Sequence, residues 1–199
     1  GTLVQLETLP FISYPYEWGF DQLKDAALLT LDLCILALEH GLTLKDATAF
    51  NVQQYQGRMI FIDHTSFEPT NGTLPWRPYS QFCRHFLSPL LITAYCGYNA
   101  NKRFRTDLDG INLEETCASL PFFLRFSPAV FLHIYLHNAL TKSHRHKNTA
   151  DDKEHIRNKD FQIESQEKPA IQKAYLEHLR NVVRKIKSPK YDTEWHDYY

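Results

Sequence analysis

Glycine is scarce and scattered. Seven glycines occur in 199 residues, and none falls in a G-x-G-x-x-G or a P-loop pattern. A glycine loop that covers nucleotide phosphates is therefore absent from this chain. The four cysteines, Cys34, Cys83, Cys96 and Cys117, include no C-x-x-C and none has a histidine at zinc spacing. That excludes the common zinc modules and suggests thiols in a reducing, cytoplasmic setting. No apolar run reaches the roughly 18 residues of a membrane span. Neither sign of charge dominates: the net charge is −1, which removes the general electrostatic case for nucleic acid or an anionic membrane surface. The opening GTLVQLETLP has neither the basic start nor the cleavage site of a signal peptide. Met59 is the only methionine, so a chain that starts at Gly1 reads as a piece of a longer protein.

Aromatic and helix-forming material is plentiful. Thirteen Phe and 11 Tyr supply enough bulk for a core-bearing domain. Residues 3–16 read as extended, because Pro10 and Pro15 oppose a helix. Residues 21–40 read as a helix. Leu23, Ala26, Ala27, Thr30, Leu31, Cys34 and Leu38 share one stripe, Gly41 is a natural stop, and Gly19 with Gln22 makes a weak cap. Residues 42–50 read as loop, 51–55 and 58–63 as a hairpin, and 64–78 as irregular. Residues 79–95 form a strongly apolar helix that Pro89 kinks or splits. Shorter helices follow at 113–120 and 128–140. The polar stretch 141–168 reads as a mobile surface loop. Residues 171–186 form an amphipathic helix with Ile171, Tyr175, Leu179, Val182, Val183 and Ile186 on one face, before a polar-aromatic tail. The fold class is α+β, mainly α.

The segment with most chemistry in it is LKDATAFNVQQYQGRMIFIDHTSF, residues 44–67. Four residues separate Asp46 from Asn51, and Asp63 ends the apolar run Met59-Ile60-Phe61-Ile62. A carboxylate on a loop, then an amide and a second carboxylate delivered by a hairpin, is the donor set of a kinase-type site. One carboxylate orients the acceptor hydroxyl, and the other two groups hold magnesium on nucleotide phosphates. The bland alternative is a helix and an ordinary hairpin, with Asp46 and Asp63 capping turns. Lys45 either neutralises a transferring phosphoryl group or points to solvent.

The string from Pro10 to Phe67, with WRPYSQFCRHFLSPLLITAY and the closing TEWHDYY, resembles the kinase-like region that precedes a class I S-adenosylmethionine-dependent methyltransferase domain in large bacterial, nodulation-related proteins. More distantly it is similar to the C-terminal lobe of aminoglycoside- and choline-kinase-like phosphotransferases. The resemblance implies a protein-kinase-like C-lobe with a short catalytic hairpin at 51–63. Residues 1–20 would be a hinge-like segment, 21–140 the helical core, 141–168 the polar loop, and 169–199 the last helix and tail. Phe11, Ser13, Tyr14 and Tyr16 would line the adenine pocket, with Lys45 near the phosphates. Asp46 would be catalytic, and Asn51 and Asp63 would bind magnesium. ATP and an unknown acceptor would be the ligands. S-adenosylmethionine would enter only through a methyltransferase domain outside this chain. The chain departs from the pattern at Leu44, where related enzymes place a His, and at His64-Thr65, where protein kinases place Phe-Gly. Only 45 residues precede Asp46, so the N-lobe is expected to be absent and the isolated chain inactive. Two alternatives remain open: a pseudokinase that binds without transferring phosphate, and a plain helical interaction module.

Three further groups invite a site reading. His133 and His137 stand at i, i+4, which suits zinc on one helix face or packing beside aromatics. Lys142–Lys147 is a basic cluster diluted by Asp151, Asp152 and Glu154. Arg77, Arg84 and His85 either face the phosphate site or serve the edge of the core.

Overall fold

The structure, a computed structural model, describes residues 7–70, 76–148 and 168–189, with backbone alone at 143–148, 168 and 169. It is mainly helical with two small antiparallel pairs of strands. The first helix, α1 (Phe20–Glu39), starts where the Gly19 amide donates to Gln22 Oε1 at 2.8 Å and stops at Gly41, whose φ is +70°. Every residue of the stripe expected from its 3.6-residue period is buried, because that face meets both the rest of the core and a second long helix.

That second helix is Lys168–Lys185, here α7. Leu176, Leu179, Val183 and Ile186 are buried with it. It runs antiparallel to α1. Lys173 pairs with Glu39 at 2.6 Å and Arg180 with Asp32 at 2.8 Å, and Lys24 Nζ donates to the carbonyls of Arg184 and Ile186 at 2.9 and 2.7 Å. The last contact places a cation on the unsatisfied carbonyls of a helix C-terminus. Ile171, expected on the packed face, is 44% exposed; it lies in the first turn, beyond the span that α1 covers.

Between these helices come the strands β1 (Leu42–Leu44), β2 (Val52–Tyr55), β3 (Arg58–Phe61) and β4 (Phe67–Pro69). β2 pairs with β3 and β1 with β4. The hairpin was legible in the sequence, whereas β1 and β4 correct the reading of 42–50 and 64–78 as structureless. Three-residue strands carry too short an alternation to be seen, and their partners lie 23 or more residues away in sequence.

Next comes a helical rod of three contiguous pieces: α2 (Tyr79–Phe82), a π-helical stretch (Cys83–Leu87) and α3 (Ser88–Cys96). Phe82, Cys83, Phe86, Leu87, Leu90, Leu91 and Ile92 are all buried, so this rod is the centre of the core. Pro89 has no N–H and crowds the carbonyl four residues back. The wider π turn just before it absorbs the mismatch, as such bulges do. Trp76 is fully buried beside Phe82 and its Nε1 donates to the Leu44 carbonyl at 3.2 Å. The rod and the first strand are thereby held together.

Short helices α4 (Leu113–Ser119) and α5 (Pro128–Val130) follow. A second π stretch (Phe131–Leu136) then leads into α6 (His137–Asn148). The expected mobile loop at 141–168 is corrected at both ends, since α6 continues to Asn148 and α7 begins at Lys168. A polar sequence hid the helix because it has no apolar stripe to reveal it. Residues 149–167, and the tail beyond 189, lie outside the described residues. Among those described, no helix is long and apolar enough to cross a membrane.

Gly110 is a tight point. Its φ is +79°, and a Cβ there would lie 2.8 Å from the Arg84 carbonyl oxygen, which also accepts from Ile111 N at 3.1 Å. Gly110→Ala combines a left-handed backbone penalty with a backbone clash. It is expected to lower unfolding free energy by about 2–4 kcal/mol in urea titration. A midpoint equal to wild type would show that this turn is not strained.

Candidate functional site

The two strand pairs are nested, and that nesting builds the site. Leu44 lies opposite Phe67 at the end of one ladder and Val52 opposite Phe61 at the start of the other. Between them the chain crosses itself twice. The Lys45 amide donates to the Ser66 carbonyl at 2.9 Å, and the Ile62 amide donates to the Asn51 carbonyl at 2.9 Å. Residues 46–51 therefore face residues 62–65 across one narrow junction. Asn51 and Asp63 meet there, with Asn51 Nδ2 3.3 Å from Asp63 Oδ2. Asp46 hangs from the same junction. Its backbone carbonyl accepts from Ser66 Oγ at 3.5 Å, while its half-buried carboxylate makes no hydrogen bond among the described residues. The Lys45 side chain is likewise half-buried and uncommitted among them.

Asp63 has a second task. Its Oδ1 accepts from the amide and the hydroxyl of Thr65 at 3.0 and 2.7 Å, which caps a short 3-10 turn at 64–66. One carboxylate oxygen is thus spent on the turn and the other on Asn51.

What fixes the Asp46 loop was only partly visible in the sequence. Gln81 Oε1 accepts from the Ala47 amide at 2.7 Å, and His85 Nδ1 lies 3.3 Å from Thr48 Oγ1 and 3.4 Å from the Ala49 amide. Gln81 and His85 are one turn apart on the buried rod, so one helix face holds the loop at two points. Because Ala49 donates to Nδ1, the neutral ring carries its proton on Nε2, on the side of the Asp109 backbone. Burial, with Arg84 next to it, pushes the His85 pKa down to about 4. The set Arg77, Arg84 and His85 does not act together. Arg77 pairs with Glu68 at 3.3 Å, His85 faces the loop, and Arg84 lines a different cavity.

The extended N-terminal segment docks beside the hairpin through Ser13. Its amide donates to Gln53 Oε1 at 2.8 Å, and its hydroxyl accepts from Gln54 N at 3.0 Å and from Trp18 Nε1 at 3.1 Å. Ser13 is buried and occupied in this join. Its aromatic neighbours differ in exposure. Phe11 is 66% exposed, and Tyr14 and Tyr16 stack in parallel with ring centres 5.2 Å apart. Phe11 and Tyr14 are open to solvent, whereas Tyr16 packs against the core.

The histidine pair is part of the core. His133 is fully buried, its Nδ1 lies 2.7 Å from the Tyr79 hydroxyl, and His137 stacks on Tyr79 at 4.6 Å. Burial, followed by the neighbouring His178 and His137, lowers the His133 pKa to about 4. No group of three His, Cys, Asp or Glu among the described residues could hold a metal. Burial also pushes the thiols up, Cys34 to about 11 and Cys83 to about 12, so both are poor nucleophiles.

Comparison with known proteins gives one informative match. The chain is similar to nodulation protein NoeA of Rhizobium meliloti (strain 1021). Identity is 37% over 149 residues, which is 75% of this chain and 31% of NoeA. The chain thus spans about a third of that protein's length. No family model matches, and no solved structure does.

Proposed function

We propose that this chain is the kinase-like region of a bacterial protein of the S-adenosylmethionine-dependent methyltransferase type, and that it binds Mg-ATP for phosphoryl transfer to a hydroxyl acceptor. The observation that carries the reading is the meeting of Asn51 and Asp63 at 3.3 Å, with the unpaired Asp46 carboxylate on the loop that crosses beside them. The amide and carboxylate are hard oxygen donors, and two such ligands suit magnesium, which takes its remaining positions from phosphates and water. When bound, the metal would neutralise charge on the phosphates. Phe11, Tyr14 and Tyr16 offer apolar faces for a base. Lys45 supplies a cation on the junction, and Asp46 accepts or orients the acceptor's proton. The likeness to a nodulation protein supports the nodulation-related part of the resemblance drawn from residues 10–67, and both the kinase-like region and the methyltransferase partner rest on that resemblance.

One observation favours the interaction-module alternative, in which the carboxylates serve the turn. Both Asp63 oxygens are already engaged, by Thr65 and by Asn51. Metal binding requires Asn51 to turn its carbonyl oxygen inward and give up that bond.

The test is nucleotide binding by the chain, read with a fluorescent ATP analogue with and without magnesium. Saturable binding that needs magnesium and is lost in Asn51→Leu is expected. Binding that ignores both magnesium and Asn51 would remove the proposed metal site.

A further inference from the structure

Arg84 faces away from the loop that its neighbour His85 serves. It lines a separate cavity of about 260 Å³ with Ser80, Asn112, Asn138, Thr141 and Lys142, between the rod, α4 and α6. The Arg84 side chain is half-buried, and its Nε is closed to solvent with no partner among the described residues. A guanidinium held this way is costly until an acceptor meets it. The cavity supplies few acceptors of its own. Asn112 Oδ1 is occupied by the Glu115 amide at 2.8 Å, which leaves its amino group. Asn138 and Ser80 can donate, and Lys142 adds an ammonium. Thr141 spends its proton on the His137 carbonyl at 2.9 Å. The single acid, Glu114, holds Lys142 at 2.8 Å at the exposed rim.

A donor-rich, acceptor-poor hollow with an unpaired guanidinium selects an oxyanion. The donors come from three separate elements, the rod, the N-cap of α4 and α6, and a phosphate has more oxygens to offer them than a carboxylate. We propose that this cavity is a phosphate site, for free phosphate or a phosphate monoester. Arg84 is the fixed cation, and Lys142 is recruited from Glu114 when the anion arrives. The Arg84 backbone is fixed by the close approach of Gly110 and the bond from Ile111, so the site is preorganised on its Arg side. This site is distinct from the Asn51–Asp63 junction and does not depend on the nucleotide reading.

The test is titration of the 199-residue protein with inorganic phosphate, O-phosphoserine and acetate, at constant ionic strength and without magnesium, by calorimetry. Phosphate or phosphoserine is expected to bind saturably, and acetate at least tenfold more weakly. Tighter binding of phosphoserine would identify a monoester as the ligand, and equal binding would identify free phosphate. Arg84→Met should weaken phosphate at least tenfold, Lys142→Ala several-fold, and Glu114→Gln should strengthen it several-fold by freeing Lys142. Asp63→Asn should leave it unchanged. Equal binding of phosphate and acetate, or wild-type affinity in Arg84→Met, would overturn the proposal. If Arg84→Met does not fold, the two rim variants decide, and unchanged phosphate affinity in both has the same meaning.

Discussion

Acidification from pH 7 to pH 5 is expected to remove about 4 kcal/mol of folding stability through two buried histidines. His85 is 2% and His133 0% exposed, and burial is the first cause of the drop of each pKa from 6.5 to about 4. Both rings are neutral when folded. Below pH 6.5 the unfolded chain takes up protons that the folded chain refuses until near pH 4. Their contribution is therefore complete above the unfolded pKa and is lost as pH falls from 6.5 toward 4. Between about pH 6 and 4.5 the slope for two such groups is about 2.3 kcal/mol per pH unit, which is large against a typical total of about 5–15 kcal/mol. A protonated His85 also becomes a donor at Nδ1, where it now accepts from Ala49, so acid releases the Asp46 loop as well as weakening the core. Denaturant midpoints measured across this range check the expectation, and His133→Gln should roughly halve the slope. Equal stability at pH 7 and pH 5 would mean that neither ring is held neutral by burial.

The sequence carried some of this more openly than the rest. The α1 stripe and the Gly41 stop were readable because each is a local pattern: a period and a positive-φ glycine. The approach of Asn51 to Asp63 was also readable, because a hairpin with a turn at Gln56-Gly57 fixes their register. The pairing of β1 with β4 was not, since it depends on residues 23 to 27 positions apart whose strands are only three residues long. The grip of Gln81 and His85 on the loop was hidden for a related reason. Their i, i+4 spacing marks one helix face, but nothing in the spacing says what that face touches. The helical run to Asn148 was missed because composition was read as structure: a polar segment can be helical when its first turn is packed.

On the phosphoryl-transfer reading, in a longer protein that carries this chain with an N-lobe, Asp46→Asn is expected to lower phosphoryl turnover by about 10²–10⁴-fold while Mg-ATP still binds. Asp63→Asn is expected to lower both binding and turnover. The two substitutions are comparable structurally, which is what makes the contrast useful. The Asp46 side chain makes no hydrogen bond among the described residues, so an amide there should not disturb the fold. Asn at 63 keeps an oxygen for the Thr65 amide, and Asn and Asp are both good caps, so the turn at 64–66 should survive. What changes is charge. On the phosphoryl-transfer reading, at 46 the loss would be a proton acceptor for the acceptor hydroxyl, felt in the chemical step. On that reading, at 63 it would be the anionic ligand for magnesium, felt already in nucleotide affinity. Isotopic transfer from labelled ATP, with binding measured in parallel, separates these effects. Binding that depends on Asp63, with no transfer in the wild type, identifies a pseudokinase. If neither substitution alters binding or transfer and both lower the unfolding midpoint, the carboxylates serve the turn alone. The chain is then a helical interaction module whose nested strands only happen to bring Asn51 and Asp63 together.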